Sequence, residues 1–326
     1  MRYVIYDAPG DPSVLHSSEG PPPQARAGEV TIAVEAAGVS RADALQRRGL
    51  YPPPPGASPV LGLEVAGTIA TRGAGVSQWQ EGDRVCALLT GGGYAQVVAV
   101  PQGQVLPIPD GWTAIEAATL PENAFTVYDN VFTRACLESD ETILVHGGSS
   151  GIGSTAIMFA RAFGARVITT VGNSDKRAVC LRLGVDLAIE YRTQDFVEAV
   201  LQYTQNRGVD VVLDIVGGDY LNRDLKALAL DGRIACISTM GGRESTIELG
   251  LLLTKRATLL GSSLRPRTAE QKAAIARELR EKVWPLLPKR DPIFPLVDSV
   301  FPFERAADAH ARLESSAHAG KIVLVP

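Results

Sequence analysis

Gly148, Gly151 and Gly153, with Gly147 before them and Ser149 and Ser150 between, lie in the run Thr142-Ile-Leu-Val-His-Gly-Gly-Ser-Ser-Gly-Ile-Gly153. Residues with little or no side chain leave backbone N–H groups open, and at the start of a helix those groups and the positive helix end can hold a pyrophosphate. The spacing is G-x-x-G-x-G rather than G-x-G-x-x-G. A tight strand-to-helix turn with no ligand also uses glycine, so the context must decide. Ahead of the turn is an apolar strand, and after it Ser154 to Gly164 reads as an amphipathic helix. Ala165 to Val171 then reads as a second strand, where a β-α-β unit of roughly 30 residues would place it. The context is that of a dinucleotide site.

The end of that second strand bears on the choice of dinucleotide. An acid there would hold a ribose 2′-hydroxyl and repel a 2′-phosphate. The chain has Val171, Gly172 and Asn173 instead, and Asp175 falls inside the next helix beside Lys176 and Arg177. NADPH is favoured over NADH. The competing reading of Lys176 and Arg177 is a solvated helix face.

The elements that must position these residues emerge from the rest of the chain. Its 326 residues suffice for two domains, and 45% hydrophobic with 21% charged residues is ordinary globular composition. No apolar run approaches the roughly 20 residues that span a bilayer. The start, Met-Arg-Tyr-Val-Ile-Tyr, reads as a strand rather than a leader, so the expectation is a cytoplasmic enzyme. A net charge of −4 gives no electrostatic support for nucleic-acid binding. Cys86, Cys136, Cys180 and Cys236 form no C-x-x-C pair, and the four histidines, His16, His146, His310 and His318, are scattered. Zinc spacing is absent, and the cysteines read as small apolar residues of a reducing compartment.

Beyond Val171 the pattern predicts a helix over 174–183, a strand over 187–190, a helix over 194–203 and a strand over 209–215. A helix over 220–230 and strands over 232–238 and 257–261 follow. Strands alternating with helices imply a doubly wound parallel sheet, a Rossmann domain over 122–262. The first 121 residues instead carry short β-prone runs, 29–35, 67–70 and 84–88, between turn signals, which suggests a β domain. After residue 262 come a long helical stretch over 269–286, an extended Pro292-Ile-Phe-Pro295 and a last strand over 320–325. That strand is expected to return to the N-terminal β domain, placing a cofactor cleft between two lobes.

Gly38-Val-Ser-Arg-Ala-Asp-Ala-Leu-Gln-Arg-Arg-Gly-Leu-Tyr51, Leu61-Gly-Leu-Glu-Val-Ala-Gly67, Glu81-Gly-Asp-Arg-Val85, Gly91-Gly-Gly-Tyr-Ala95, the glycine turn and Gly320-Lys-Ile-Val-Leu324 share a pattern. Together they resemble the zinc-free medium-chain dehydrogenases/reductases, in the zeta-crystallin-like quinone oxidoreductase branch. The similarity is greatest to its tumour-suppressor-inducible subfamily, and it covers essentially the whole chain. The resemblance implies a GroES-like domain from residues 1–121 and 263–326 enclosing the Rossmann domain. Zinc-dependent cousins carry a Cys and a Gly-His-Glu at the catalytic metal; here those places are Ser40 and Gly62-Leu63-Glu64, so no metal is expected.

The resemblance also implies site residues. Gly148, Ser149, Ser150, Gly151, Ile152 and Gly153 would hold the NADPH pyrophosphate. Gly172, Asn173, Lys176 and Tyr191 would hold the 2′-phosphoribose. Thr126 and Tyr128 match a segment near the nicotinamide, and Lys321 would approach the cofactor from the last strand. Ser40 and Tyr51 would line the substrate pocket. Relatives commonly have Asn where this chain has Ser40, so polar reach there is reduced. Tyr51 would serve as an aromatic wall or phenolic donor.

The expected activity is metal-independent hydride transfer from NADPH to ortho-quinones or similarly activated acceptors, an NADPH:quinone reductase reaction. An electron-poor quinone needs neither a Lewis acid nor a strong general acid, so positioning and exclusion of water suffice. An alternative is reduction of an enone or alkenal double bond, which asks more of a proton donor. An alternative of another class is a non-catalytic NADPH-binding structural or RNA-interacting protein, which the acidic balance disfavours. The expected partner is a small molecule rather than a membrane, and exposed sheet edges make a homodimer the default.

Overall fold

The alternation of apolar runs with helical stretches beyond residue 142 produces six parallel strands. Across the sheet they run Leu187–Glu190, Arg166–Val171, Thr142–His146, Val209–Asp214, Leu228–Cys236, Thr258–Gly261, with every pairing parallel. Counted by their order along the chain, this is the 3-2-1-4-5-6 arrangement of a Rossmann sheet. Strand order reverses between Thr142–His146 and Val209–Asp214, both buried throughout. Burial on both faces is why these strands read as unbroken apolar runs rather than alternating ones. Leu144, Ile168, Ile189, Val212, Ile234 and Phe196 form the core on which the helices pack, each contributing about 1.5–3 kcal/mol by leaving water.

The computed structural model describes residues 1–287 and 295–326. Within it the Rossmann sheet belongs to one compact unit, Thr126–Ser263, and the other unit comprises Met1–Phe125 with Leu264–Pro326. In that second unit the strands run Val297–Pro302, Lys321–Val325, Glu29–Val39, Glu64–Arg72, Arg84–Leu88, Val105–Pro107, and Val97–Pro101 also pairs with Glu29–Val39. The last strand of the chain, Lys321–Val325, pairs antiparallel with Glu29–Val39 and parallel with Val297–Pro302. Val30, Ile32, Ile69, Val85, Val98, Ile322 and Leu324 fill its core.

Several elements differ from the pattern read in the sequence. The strand expected at Gly232 begins at Leu228, because Leu228 pairs with Val209 before a register shift, and the preceding helix accordingly stops at Ala227. The helical stretch from Ala269 is α-helical only to Glu278; a π turn over Leu279–Val283 and a 3-10 turn over Trp284–Leu286 follow. Pro285 has no N–H to donate, so the α pattern cannot continue through it. A short helix, Arg41–Arg47, was not read at all. The expected extended segment Pro292–Pro295 lies outside the described residues except for Pro295.

Candidate active site

In the Rossmann unit the glycine turn leaves the carboxyl end of Thr142–His146 at the switch point and enters the helix Gly151–Ala162. Ser150 caps that helix, its Oγ accepting from the Gly153 N–H at 3.0 Å. Gly147 has φ +72°, a left-handed conformation that favours glycine. A Cβ on Gly153 would stand 2.3 Å from the Gly147 carbonyl oxygen, and one on Gly148 would stand 2.0 Å from Thr169 Oγ1. The turn therefore folds onto itself and onto the next strand with no room for side chains. The N–H groups of the first helical turn that Ser150 does not cap are the donors a pyrophosphate requires, so the residues present fit this part of a dinucleotide.

A buried network absent from the sequence reading holds the turn. The His146 ring, at the end of the first strand, lies 2.8 Å from Asp224 Oδ1 through Nε2 and 3.0 Å from Thr170 Oγ1 through Nδ1. A carboxylate only accepts, so Nε2–H donates to Asp224, while Nδ1 shares the other hydrogen bond with the Thr170 hydroxyl. The Thr170 oxygen in turn accepts from the Gly147 N–H at 3.3 Å. Asp224 thus acts, through one imidazole and one hydroxyl, on the first amide of the turn.

The adjacent corner lies at the ends of two neighbouring strands. Asn173 caps the helix Ser174–Arg182, its Oδ1 accepting from the Lys176 N–H at 3.0 Å. Tyr191 follows the strand Leu187–Glu190 and its N–H bonds Val171 O at 3.1 Å. A Cβ on Gly172 would come to 3.5 Å from the Tyr191 hydroxyl, so Tyr191 lies against Gly172, next in sequence to the Asn173 cap and the first turn that carries Lys176. Thr126 and Tyr128 lie where an α-helix, Pro121–Val127, passes into a π turn, Tyr128–Arg134. The Thr126 carbonyl accepts from Asn130 Nδ2 at 2.9 Å, and the buried Tyr128 ring stacks on Phe132 with centroids 5.7 Å apart.

In the other unit, Ser40 caps the helix Arg41–Arg47 through a capping box with Asp43. Its hydroxyl donates to Asp43 Oδ2 at 2.9 Å. Asp43 also accepts from the Ser40 and Gly62 amides at 2.8 and 2.9 Å and from the Tyr94 hydroxyl at 3.3 Å. Burial pushes the Asp43 carboxyl up, and the Ser40 and Gly62 amides, the Ser40 hydroxyl and Lys321 pull against it. Tyr94 continues the network to His310 Nε2 at 3.1 Å, and burial with the nearby Arg47 charge pulls His310 down to about 3, so its ring is neutral.

Lys321 is buried and forms an ion pair with Glu64 at 2.5 Å, their side chains 7% and 0% exposed. Glu64 Oε2 also accepts from the Glu122 N–H at 2.9 Å. Burial alone would lower the Lys321 ammonium, but the Glu64 and Glu122 charges outweigh it and hold it up. One cation facing two carboxyls leaves the second uncompensated. Burial, opposed by Lys321 and reinforced by Glu64, accordingly pushes Glu122 up to about 7. Tyr51 presents its ring 5.3 Å from the Arg265 guanidinium carbon.

Asp43, Tyr94, His310, Glu64 and Glu122 were thus missed by the sequence reading, as were His146, Thr170 and Asp224. Only the Ser-x-x-Asp spacing at Ser40 carried a local signal, that of a helix cap. The donor set at the zinc positions of the cousins does not suit the metal: the Ser40 hydroxyl is engaged by Asp43, and Leu63 has no donor.

Two family models match the chain, an alcohol dehydrogenase GroES-like domain over residues 26–110 and a zinc-binding dehydrogenase over 151–279. The quinone oxidoreductase of Rattus norvegicus is 30% identical over 331 residues, covering 100% of this chain and 98% of that protein. The chain belongs to the medium-chain dehydrogenases/reductases, among the quinone oxidoreductase homologues. Among solved structures, the Escherichia coli quinone oxidoreductase complexed with NADPH matches with a TM-score of 0.85 at 29% identity, each chain covered completely. The JamJ enoyl reductase matches with a TM-score of 0.86 at 26% identity, over 99% of this chain and 98% of that one. This oxidoreductase therefore has relatives that carry both quinone and enoyl reductase names. No helix among its described residues is long and apolar enough to cross a membrane.

Proposed function

We propose that this oxidoreductase transfers hydride from NADPH to ortho-quinones or similarly activated acceptors without a metal. The observation that carries the cofactor choice is the corner at the strand ends where Tyr191 lies against Gly172 and Asn173 caps the helix that carries Lys176, with no acid at the end of Arg166–Val171. NADPH, when bound, supplies the hydride. The helix start at Gly151 binds the pyrophosphate, and the amide and ammonium at 173 and 176 bind the 2′-phosphate, where a carboxylate would repel it. Thr126 and Tyr128 orient the nicotinamide end, and Lys321 acts on the cofactor from within its ion pair with Glu64. The His146, Thr170 and Asp224 network keeps the turn fixed before the cofactor arrives, which reduces the ordering needed on binding.

Ser40 and Tyr51 line the acceptor pocket in this reading. The Ser40 hydroxyl is spent on Asp43, so it offers an oxygen lone pair rather than a proton. An acceptor that is already electron-poor suits such a site, because positioning rather than acid catalysis lowers its barrier. A double-bond reductase is the second reading, favoured by Glu122, whose carboxyl near 7 could carry a proton at working pH. The enzyme is taken to be cytoplasmic and homodimeric.

The two readings separate on Tyr51→Phe with 1,2-naphthoquinone and a 2-alkenal. Loss confined to the alkenal supports the acid role and the second reading. Quinone turnover that the substitution leaves unchanged, with no alkenal turnover in the wild type either, supports the first, and alcohol oxidation with no quinone turnover in a chelator would defeat it.

A further inference from the structure

Among the described residues, two buried cations in the unit that carries Tyr51 have only neutral hydrogen-bond partners. Arg265 is 6% exposed and Lys272 2% exposed. Arg265 donates to the Thr90 carbonyl from Nε and Nη2 at 3.1 and 2.9 Å, to Gln46 Oε1 from Nη2 at 2.6 Å, and to the Tyr51 carbonyl from Nη1 at 3.4 Å. Lys272 Nζ donates to Thr90 Oγ1 at 2.9 Å and to the Arg265 carbonyl at 3.0 Å. Every acceptor is a carbonyl, an amide or a hydroxyl.

Elsewhere the same unit neutralises its buried cations. Lys321 is paired with Glu64, and Arg47, fully buried, is paired with Glu314 at 2.6 Å. Burying a charge without a counter-charge costs several kcal/mol; the Asp43 charge opposes the effect of burial on Arg265 without overcoming it, and no carboxylate among the described residues bonds to either cation. Burial and the Arg265 charge pull Lys272 down to about 8, as expected of two positive groups forced together. The partners above leave one N–H of Arg265 Nη1 and one of Lys272 Nζ unused among the described residues. The Tyr51 ring stands over the guanidinium at 5.3 Å.

We propose that Arg265 and Lys272 form an anion subsite beside Tyr51 that selects acceptors bearing a carboxylate or sulfonate next to their reducible ring. The inference rests on the reading that Tyr51 lines the acceptor pocket. The ring would lie against Tyr51 while its anion takes the two spare N–H groups and supplies the missing counter-charge. Charge-assisted hydrogen bonds in a buried site favour the anionic acceptor about tenfold or more over its neutral parent.

The test compares 1,2-naphthoquinone with its 4-sulfonate on the full chain, for the wild type, Lys272→Gln and Arg265→Gln. Within each protein the ratio of kcat/KM for the sulfonate to that for the parent quinone is read, so a general loss of activity cancels. The wild-type ratio is expected to be about ten or more and to fall about tenfold in each variant. A wild-type ratio near one, or a ratio unchanged in variants that retain the wild-type Tm, would overturn the subsite. A binding readout keeps the two readings apart: 2-naphthalenesulfonate, which cannot be reduced, is expected to raise the Tm of the wild type and not that of Lys272→Gln. If neither quinone is turned over but that shift is seen, the quinone reading fails and the anion subsite stands. Equal shifts in wild type and variant would remove the subsite whatever the activity.

Discussion

Replacing Lys321 with Met removes the cation paired with Glu64, whose charge also acts on Glu122, and the size of the loss follows from the burial. Glu64 is fully buried and its partner nearly so, and stripping one member from such a pair costs about 3–5 kcal/mol. The stranded carboxyl has an escape, which is to take up a proton. Doing so at pH 7 from an ordinary carboxyl pKa near 4.5 costs about 3.4 kcal/mol at about 1.36 kcal/mol per unit, so the loss is capped near that figure. The cap gives the loss a sign in pH. In the variant the folded carboxyl holds its proton while the unfolded one has lost it above about 4.5, so stability falls as pH rises, by up to about 1.4 kcal/mol per unit. The loss is therefore smaller at pH 5.5 than at pH 7. All three tryptophans, Trp79, Trp112 and Trp284, lie in the unit that contains the pair. Tryptophan fluorescence during urea unfolding thus reports on that unit alone. Lys321→Met is expected to lose about 3 kcal/mol at pH 7 and about half that at pH 5.5, with Glu64→Gln added to it restoring most of the difference. A loss below about 1 kcal/mol that does not change with pH, or a double variant no more stable than the single, would refute the reasoning.

Three further outcomes follow from the same geometry. Gly153→Ala places a methyl 2.3 Å from the Gly147 carbonyl oxygen, so NADPH affinity, followed by nicotinamide fluorescence, is expected to fall at least about tenfold as the turn is forced open. Lys176→Glu sets a carboxylate at the corner proposed for the 2′-phosphate, and the ratio of kcat/KM for NADPH to that for NADH is expected to fall about tenfold or more; an unchanged ratio would place the discrimination elsewhere. Glu122, pushed up to about 7, holds its proton in the folded state across the window from about 4.5 to 7, so it takes stability away as pH rises through that window. Glu122→Gln is expected to flatten that decline by about 1–3 kcal/mol in urea titrations at pH 5 and pH 8, and a wild-type slope retained in the variant would count against the assignment.

The Rossmann unit was legible because its signals are local. Residues 142–171 carry strand, turn, helix and strand in sequence, and Gly148 and Gly153 mark positions where a Cβ has no room. The strand over 187–190 stands where the pattern put it. The start of the strand at Leu228 was not legible, since it depends on pairing with Val209, and no local residue announces it. The helix Arg41–Arg47 is too short to show a period, and its capping box was the only cue. The unit that carries Ser40 shows the same limit more sharply. Asp43, Tyr94 and His310 meet only because distant segments are brought together by one unit. Arg265 lies in the turn before the helix Ala269–Glu278 and Lys272 in its first turn, where a cation ordinarily faces solvent, yet both are buried. Likewise His146 reads as one more residue of an apolar strand until Asp224 is found on it.

The most direct test of the account is the initial rate of NADPH oxidation, set against NADH, with 1,2-naphthoquinone and a 2-alkenal in parallel and a chelator present throughout. Quinone turnover that prefers NADPH and is indifferent to the chelator is the predicted result. Turnover of the alkenal alone, or a preference for NADH, would contradict it.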